Sequence, residues 1–340
     1  MILSRAPMRI SFVGGGTDLP SFYRKHPGKV ISTAIDKFVY IAINRTPLVK
    51  KVSARYSISE TVDHPAKLQN TRIKAALYTM GITHGLEIGS FAPLPTKTGL
   101  GSSSSFSVAL IKALHAYQGK KIGTAEVAEA ASRLEIDLVG EPIGKQDQYA
   151  AAFGGFNVIT FNPDDTVSVE PVLIDFQTRL GLEDHMSLFF TGITRDAASV
   201  LTEQKANTDK KFETLKAMAY SVDEFKTRLL SADFHGLGVM LQNAWEMKKT
   251  LASNVSSTVI DDLYQTGMQA GAWGGKILGA GGGGCILFLS PIEKKPMIQK
   301  AMMEMAKVNH MEGFVEVPIK LVQSGSEIIF NGDQHYSNFS

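Results

Sequence analysis

Residues 93 to 107, Pro-Leu-Pro-Thr-Lys-Thr-Gly-Leu-Gly-Ser-Ser-Ser-Ser-Phe-Ser, constrain the fold more than any other stretch of this chain. Two glycines and four consecutive serines run straight into Phe106, Ala109, Leu110, Ala113, Leu114 and Tyr117, whose three-to-four-residue spacing predicts an amphipathic helix. The serine run therefore opens a helix. At such an end the first N–H groups lack intrahelical partners and the macrodipole adds about half a positive charge, so an anion is favoured there. Gly99 and Gly101 let the backbone approach a phosphate, and Ser102 to Ser105 bring hydroxyls that can donate or ligate magnesium. The stretch is not a Walker A loop, since no Lys-Ser/Thr pair follows its glycines, and it is not a G-x-G-x-x-G fingerprint. Taken alone, it reads equally well as the cap of an ordinary core helix.

Upstream, Ile10, Phe12 and Val13 predict a short strand that ends in Gly14-Gly15-Gly16-Thr17-Asp18, a tight turn where backbone or ligand comes close. Thr-Asp-Leu-Pro follows the glycines, so a dinucleotide fold is not expected. A plain turn in which Asp18 bonds its own backbone fits the same residues. Strands are expected at Val30 to Ser32, Phe38 to Ile43, Val52 to Ile58 and Leu86 to Phe91, with a helix from Pro65 to Gly81. After the serine helix, Thr124 caps a helix that carries Glu135. The break at Gly140-Glu141-Pro142-Ile143-Gly144 then lets Asp147 start a short helix, followed by a hairpin of strands 156 to 161 and 167 to 172.

Composition shifts over Pro171 to Asp184, which divides the chain into domains at 1–180 and 181–340. The second domain reads as a strand at Met186 to Phe190 ending in Thr191-Gly192-Ile193-Thr194-Arg195, then helical stretches over 196–231, 234–252 and 257–271. Strands at 276–278 and 285–289 flank Gly279 to Gly284, and a helix at 292–308 with strands near 314–321 and 325–330 completes it. That order predicts an α+β architecture with an antiparallel sheet covered on one face.

The 340 residues suffice for two cores. A net charge of +2, from 35 basic and 33 acidic residues with no block of like charge, argues against nucleic acid as a partner. The one cysteine, Cys285, excludes an internal disulfide and a cysteine metal site, and is expected to be a small buried residue beside the third glycine loop. With no apolar run of about 18 residues, a membrane span is not expected, and a reducing, cytoplasmic location is.

Three glycine-rich junctions, at 14–18, 99–105 and 279–284, with Glu135 and Asp147 after the second, resemble the GHMP small-molecule kinases over almost the whole chain. Ala-Pro-x-Arg at 6 to 9 is similar to that family's first motif, Pro-x-x-x-Gly-Leu-Gly-Ser-Ser at 95 to 103 to its second, and Gly279 to Gly284 to its third. The resemblance implies an N-terminal domain like ribosomal protein S5 domain 2, a ferredoxin-like C-terminal domain, and an active site in the cleft between them. It implies ATP and Mg²⁺ as cofactors. Gly99, Leu100, Gly101, Ser102, Ser103 and Ser104 would surround the nucleotide phosphates, and Ser103 with Glu135 would hold magnesium. Asp147 would be the catalytic carboxylate, kept ionised by Arg9. Phosphoryl transfer needs positioning and charge neutralisation more than covalent chemistry, which suits these groups. Singly, Arg9 also fits a strand start, Glu135 a solvated helix face and Asp147 a helix-dipole partner.

Galactokinase-like members carry Gly-Glu-His-Thr-Asp where this chain has Gly14 to Asp18. Loss of a carboxylate at Gly15 removes a repulsion toward a phosphorylated substrate. The resemblance then puts Gly15, Gly16, Thr17, Asp18, Gly281 and Gly282 around the sugar. The run from Arg9 to Tyr23, with Thr191 to Arg195, is similar to the bacterial branch that phosphorylates the C1 hydroxyl of D-glycero-D-manno-heptose 7-phosphate, on the route to activated heptose for surface polysaccharide. Arg195 is the first candidate for the substrate phosphate, ahead of Arg24, Lys25 and Lys97. A 1-kinase of a neutral sugar such as fucose, a diphosphomevalonate decarboxylase and a catalytically silent sensor remain alternatives on the same fold. A monomer or homodimer is expected.

Overall fold

The structure, a computed structural model, describes residues 1–194 and 197–332. The first sheet is built on β1 (Ile2–Val13), which leads through the short α1 (Pro20–Tyr23) into β2 (Gly28–Arg45), its antiparallel partner. Both strands are far longer than their apolar patterning indicates. They are buried on both faces over much of their length, so the alternation that marks a half-wet strand is absent. A bulge between Pro7 and Arg9 separates Ile2 and Ala6, in one apolar cluster, from Met8, Ile10 and Phe12 in another. Arg9 and Ser11 are thereby left on the wall of a cleft.

β3 (Val52–Arg55) and β4 (Ser59–Val62) form a hairpin where one strand to Ile58 is expected. The expected helix from Pro65 resolves into a separate turn and α2 (Thr71–Thr79), which starts where the Asn70 side chain accepts from the Ile73 N–H at 3.0 Å. β5 (Leu86–Phe91) delivers the chain to α3 (Ser102–Tyr117), the serine helix. α4 (Thr124–Arg133) continues into a π-helical turn, Leu134–Leu138, and α5 (Gln146–Phe153) precedes the hairpin of β6 (Phe156–Phe161) and β7 (Val167–Pro171).

The segment read as a boundary is itself helical: α6 (Phe176–His185) is capped by Asp175, whose carboxylate accepts from Thr178 N–H at 2.7 Å. β8 (Met186–Phe190), α7 (Ala197–Asn207), α8 (Phe212–Leu230), α9 (Phe234–Lys249) and α10 (Thr258–Gln269) follow. Then come β9 (Gly274–Ile277), β10 (Cys285–Leu289), α11 (Lys295–Val308), β11 (Val315–Glu316) and β12 (Glu327–Asn331). The second sheet is antiparallel in the order β11-β8-β10-β9. The last strand does not belong to it. β12 pairs with β1 at the edge of the first sheet, which runs β12-β1-β2-β5-β3-β4 with β6 and β7 branching from β2. Residues 327–331 thus cross the division at 180, because β1 would otherwise expose an unpaired edge.

One apolar cluster joins Met8, Ile10 and Phe12 to Leu188, Leu241 and Leu287, so the two sheets share a core and the cleft between them has fixed walls. No helix among the described residues is long and apolar enough to cross a membrane.

Candidate active site

The cleft has a volume of about 540 Å³ and is walled by all three glycine-rich junctions. Its floor is the start of α3. Gly101 is the left-handed N-cap residue of that helix, φ +75°, and no side chain caps the first turn. Ser102, Ser103 and Ser104 therefore begin the helix facing the cleft, with Ser103 exposed in it. Such an end is an anion cradle. The third junction lies directly on the second, where the Cys285 N–H donates to Thr98 O at 2.9 Å. Cys285 itself is buried, which pushes its thiol up to about 12.

At the edge of that floor Arg9 and Asp147 make a two-pronged ion pair. Arg9 Nε donates to Asp147 Oδ1 at 2.8 Å and Nη2 to Oδ2 at 2.7 Å, while Nη1 donates to Gly99 O at 2.6 Å. The Arg9 N–H also donates to Leu100 O at 2.9 Å. One buried guanidinium thus ties a carboxylate from α5 to the phosphate-type loop in a single geometry. The Asp147 side chain stays 25% exposed, enough to meet a ligand.

Across from this pair, Asp18 is buried in its glycine turn and accepts from the Gly16 N–H at 3.2 Å and the Gln146 N–H at 3.3 Å. Burial, and then the negative charge of Asp147, push its pKa up. Gly15 and Gly16 line the cleft beside it. Thr17 does not: its hydroxyl donates to Gly14 O at 2.8 Å and Lys29 O at 2.9 Å and holds the turn.

The expected pairing of Ser103 with Glu135 is not formed. Glu135 is fully buried on the π-helical turn, where Ser104 Oγ (2.8 Å), Ser107 Oγ (2.9 Å), Arg72 Nε (2.9 Å) and the Gln148 amide all donate to it. With both oxygens engaged and neither on the cleft wall, this carboxylate as arranged does not fit a magnesium ligand. The Ser103 hydroxyl, in the cleft, does. No group of three His, Cys, Asp or Glu suited to a metal occurs among the described residues.

The remaining expected residues divide. Gly281 is on the wall, whereas the Gly282 N–H is spent on Val255 O at 2.7 Å. The Leu100 side chain is in the core. Arg24 and Lys25 pair with Asp165 and Asp209 away from the cleft, while Lys97 lines it. Arg195 lies outside the described residues.

Cleft residues not anticipated include Ser11 on β1, Arg72 on α2, Gln204 on α7, Lys248 on α9 and Lys276 on β9. Lys248 carried a legible signal. It continues the Leu237, Leu241, Ala244 and Trp245 stripe at helical spacing, which is where a core residue belongs.

Comparison with known proteins agrees with this fold. The GHMP kinases N terminal domain matches residues 69–155 and the GHMP kinases C terminal domain matches residues 225–303. A D-glycero-alpha-D-manno-heptose 7-phosphate kinase from Campylobacter jejuni is 29% identical over 317 residues, covering 88% of this chain and 93% of that protein. A galactokinase from Pyrococcus furiosus is 25% identical over 340 residues, covering 89% and 92%. The crystal structure of a D-glycero-D-manno-heptose 1-phosphate kinase from Bacteroides thetaiotaomicron superposes with a TM-score of 0.80 at 23% identity, covering 97% of this chain and 99% of that one. With both domains matched in order and the same two-domain fold, this chain belongs to the GHMP kinases, the family of these sugar-kinase relatives.

Proposed function

We propose that this protein is an ATP- and Mg²⁺-dependent kinase that phosphorylates the C1 hydroxyl of D-glycero-D-manno-heptose 7-phosphate, giving the 1,7-bisphosphate on a route to activated heptose for bacterial surface polysaccharide. The observation that carries the kinase reading is the Arg9–Asp147 pair bonded to Gly99 O, which fixes a carboxylate at the rim of an uncapped helix N-terminus.

Bound there, Mg-ATP supplies the transferable phosphoryl group with its charge partly neutralised. The N–H groups opening α3 bind and orient the phosphates, and the Ser103 hydroxyl fits the metal. Asp147 accepts the acceptor's hydroxyl proton, and Arg9 keeps that carboxylate aimed. Asp18 accepts from sugar hydroxyls. The absence of any acidic side chain at Gly15 and Gly16 supports a phosphorylated acceptor, as does the name of the Campylobacter relative.

The test is ADP release with Mg-ATP and a panel of acceptors: the heptose 7-phosphate, unphosphorylated heptose, fucose and galactose. Turnover of the 7-phosphate with phosphorus-carbon coupling at C1 is expected. Turnover of neutral sugars alone would overturn the heptose phosphate assignment and keep the kinase. Silence with every acceptor would count against both.

A further inference from the structure

Several buried polar side chains of the cleft take no part in the transfer chemistry, among them two lysines and a glutamine. Lys248, Lys276 and Gln204 are 6%, 4% and 3% exposed, and all three line the cavity. Lys276 Nζ donates to Ser11 O at 3.1 Å and Phe12 O at 2.6 Å, and Lys248 Nζ donates to Gly279 O. Among the described residues, neither lysine is bonded to a carboxylate and Gln204 Nε2 has no hydrogen-bond partner. Carbonyl dipoles do not neutralise a buried cation. A buried ammonium without a counter-ion is costly, and a buried amide without a partner adds to that cost. Burial first, and then the nearby Lys248 and Arg9, push the Lys276 pKa well down, so an anion bound between these side chains would restore its charge.

Their placement points to the acceptor. Lys276 holds the end of β1, immediately before the Gly14–Gly16 turn. A β-carbon on Gly16 would stand 2.1 Å from Gln204 Nε2, so the glycine at that position is what lets the α7 amide sit against the turn. We propose that Lys248 and Lys276, with the Gln204 amide as a further donor, form a subsite for a phosphate group already carried by the acceptor. Resting on the kinase reading of the cleft, this assigns to the C-terminal half the recognition of a phosphorylated sugar. Protonated against a bound phosphate, the two lysines match its dianion in charge, and each is a point donor that tolerates its rotation.

The variants are Lys276→Met and Lys248→Gln in the full chain, each checked for folding by circular dichroism. Loss of a charged hydrogen bond should raise the KM for the heptose 7-phosphate by about 10- to 100-fold while the KM for ATP stays near that of the wild type. A parallel rise in both would assign the lysines to the transferred phosphoryl group instead, and an unchanged acceptor KM in both variants would also overturn the subsite. Calorimetric titration of nucleotide-free protein with inorganic phosphate separates this from the substrate assignment. Binding by the wild type that is lost in Lys276→Met or Lys248→Gln supports the subsite even if only a neutral sugar turns over. Absence of phosphate binding by the wild type overturns it.

Discussion

Gly279 lies against Gly99 so closely that a β-carbon on Gly279 would stand 2.6 Å from the Gly99 α-carbon. The third glycine-rich junction is thus packed backbone to backbone on the phosphate-type loop, and both glycines have positive φ, +74° and +80°. An alanine at 279 meets steric overlap and an unfavourable backbone region together. Gly279→Ala should cost about 2 kcal/mol or more of stability and weaken ATP binding, read by urea denaturation and calorimetry. Wild-type values in both would remove this contact from the site's architecture.

Asp147→Asn keeps the shape of the carboxylate and removes its ability to take a proton. Turnover should fall by about 100-fold or more with ATP affinity preserved. Arg9→Lys should also lower turnover, because a point ammonium cannot make the two-pronged contact and reach Gly99 O together. Steady-state kinetics with a direct ATP titration checks both, and near-normal turnover of the asparagine variant would dismiss Asp147 from the chemistry.

Ser103 and Glu135 should separate in a magnesium titration. Ser103→Ala is expected to raise the magnesium concentration for half-maximal rate. Glu135→Gln should leave that concentration in place. Glu135→Ala, which leaves Arg72 only Glu141 and takes the acceptor from two serine hydroxyls and the Gln148 amide around a buried gap, should cost about 3 kcal/mol of stability. Equal magnesium shifts in Ser103→Ala and Glu135→Gln would put Glu135 on the ion after rearrangement.

Asp18 gives a pH dependence of defined sign. Burial first, and Asp147 second, raise its pKa above the ordinary 3.8, so the folded state holds its proton longer than the unfolded chain does. Stability is therefore lost as pH rises from 3.8 through the raised folded value, and the deficit persists above it. Asp18→Asn should be the more stable protein at pH 7, with the difference vanishing in acid, while its acceptor KM rises. Thermal melts across pH measure the first effect.

Lys248 responds at the other end of the scale. Burial, then Arg9, lower it from 10.5 to about 8 against the opposing pull of Asp18 and Asp147; Lys276 also faces it, and Lys249 and Glu246 pair on its own helix. It carries its charge below about pH 8. Between 8 and 10.5 the unfolded chain binds more protons than the folded one, so stability rises with pH while acceptor affinity falls. The KM for a phosphorylated acceptor should climb above pH 8, and Lys248→Arg should remove that limb.

The phosphate-type loop was legible in the sequence because everything it needs is local. Two glycines supply positive φ, the serines and the apolar spacing after them place a helix N-terminus, and residues 140–147 break one helix and start another. The roles proposed for Arg9 and Asp147 rest on the wording of the motifs, but their two-pronged bond joins residues 138 apart and follows from the bulge that turns Arg9 toward α5. Packing alone decided which serine meets Glu135, since a π-helical turn changes the face on which that carboxylate emerges. The full lengths of β1 and β2 were hidden because strands wet on neither side have no alternation to read. The meeting of Lys248, Lys276 and Gln204 in the cleft was hidden more deeply. Three elements from one half of the chain line a cleft walled by the other half only because an apolar cluster shared by both sheets holds the two together, and burial of that kind depends on the whole core rather than on any local run of residues.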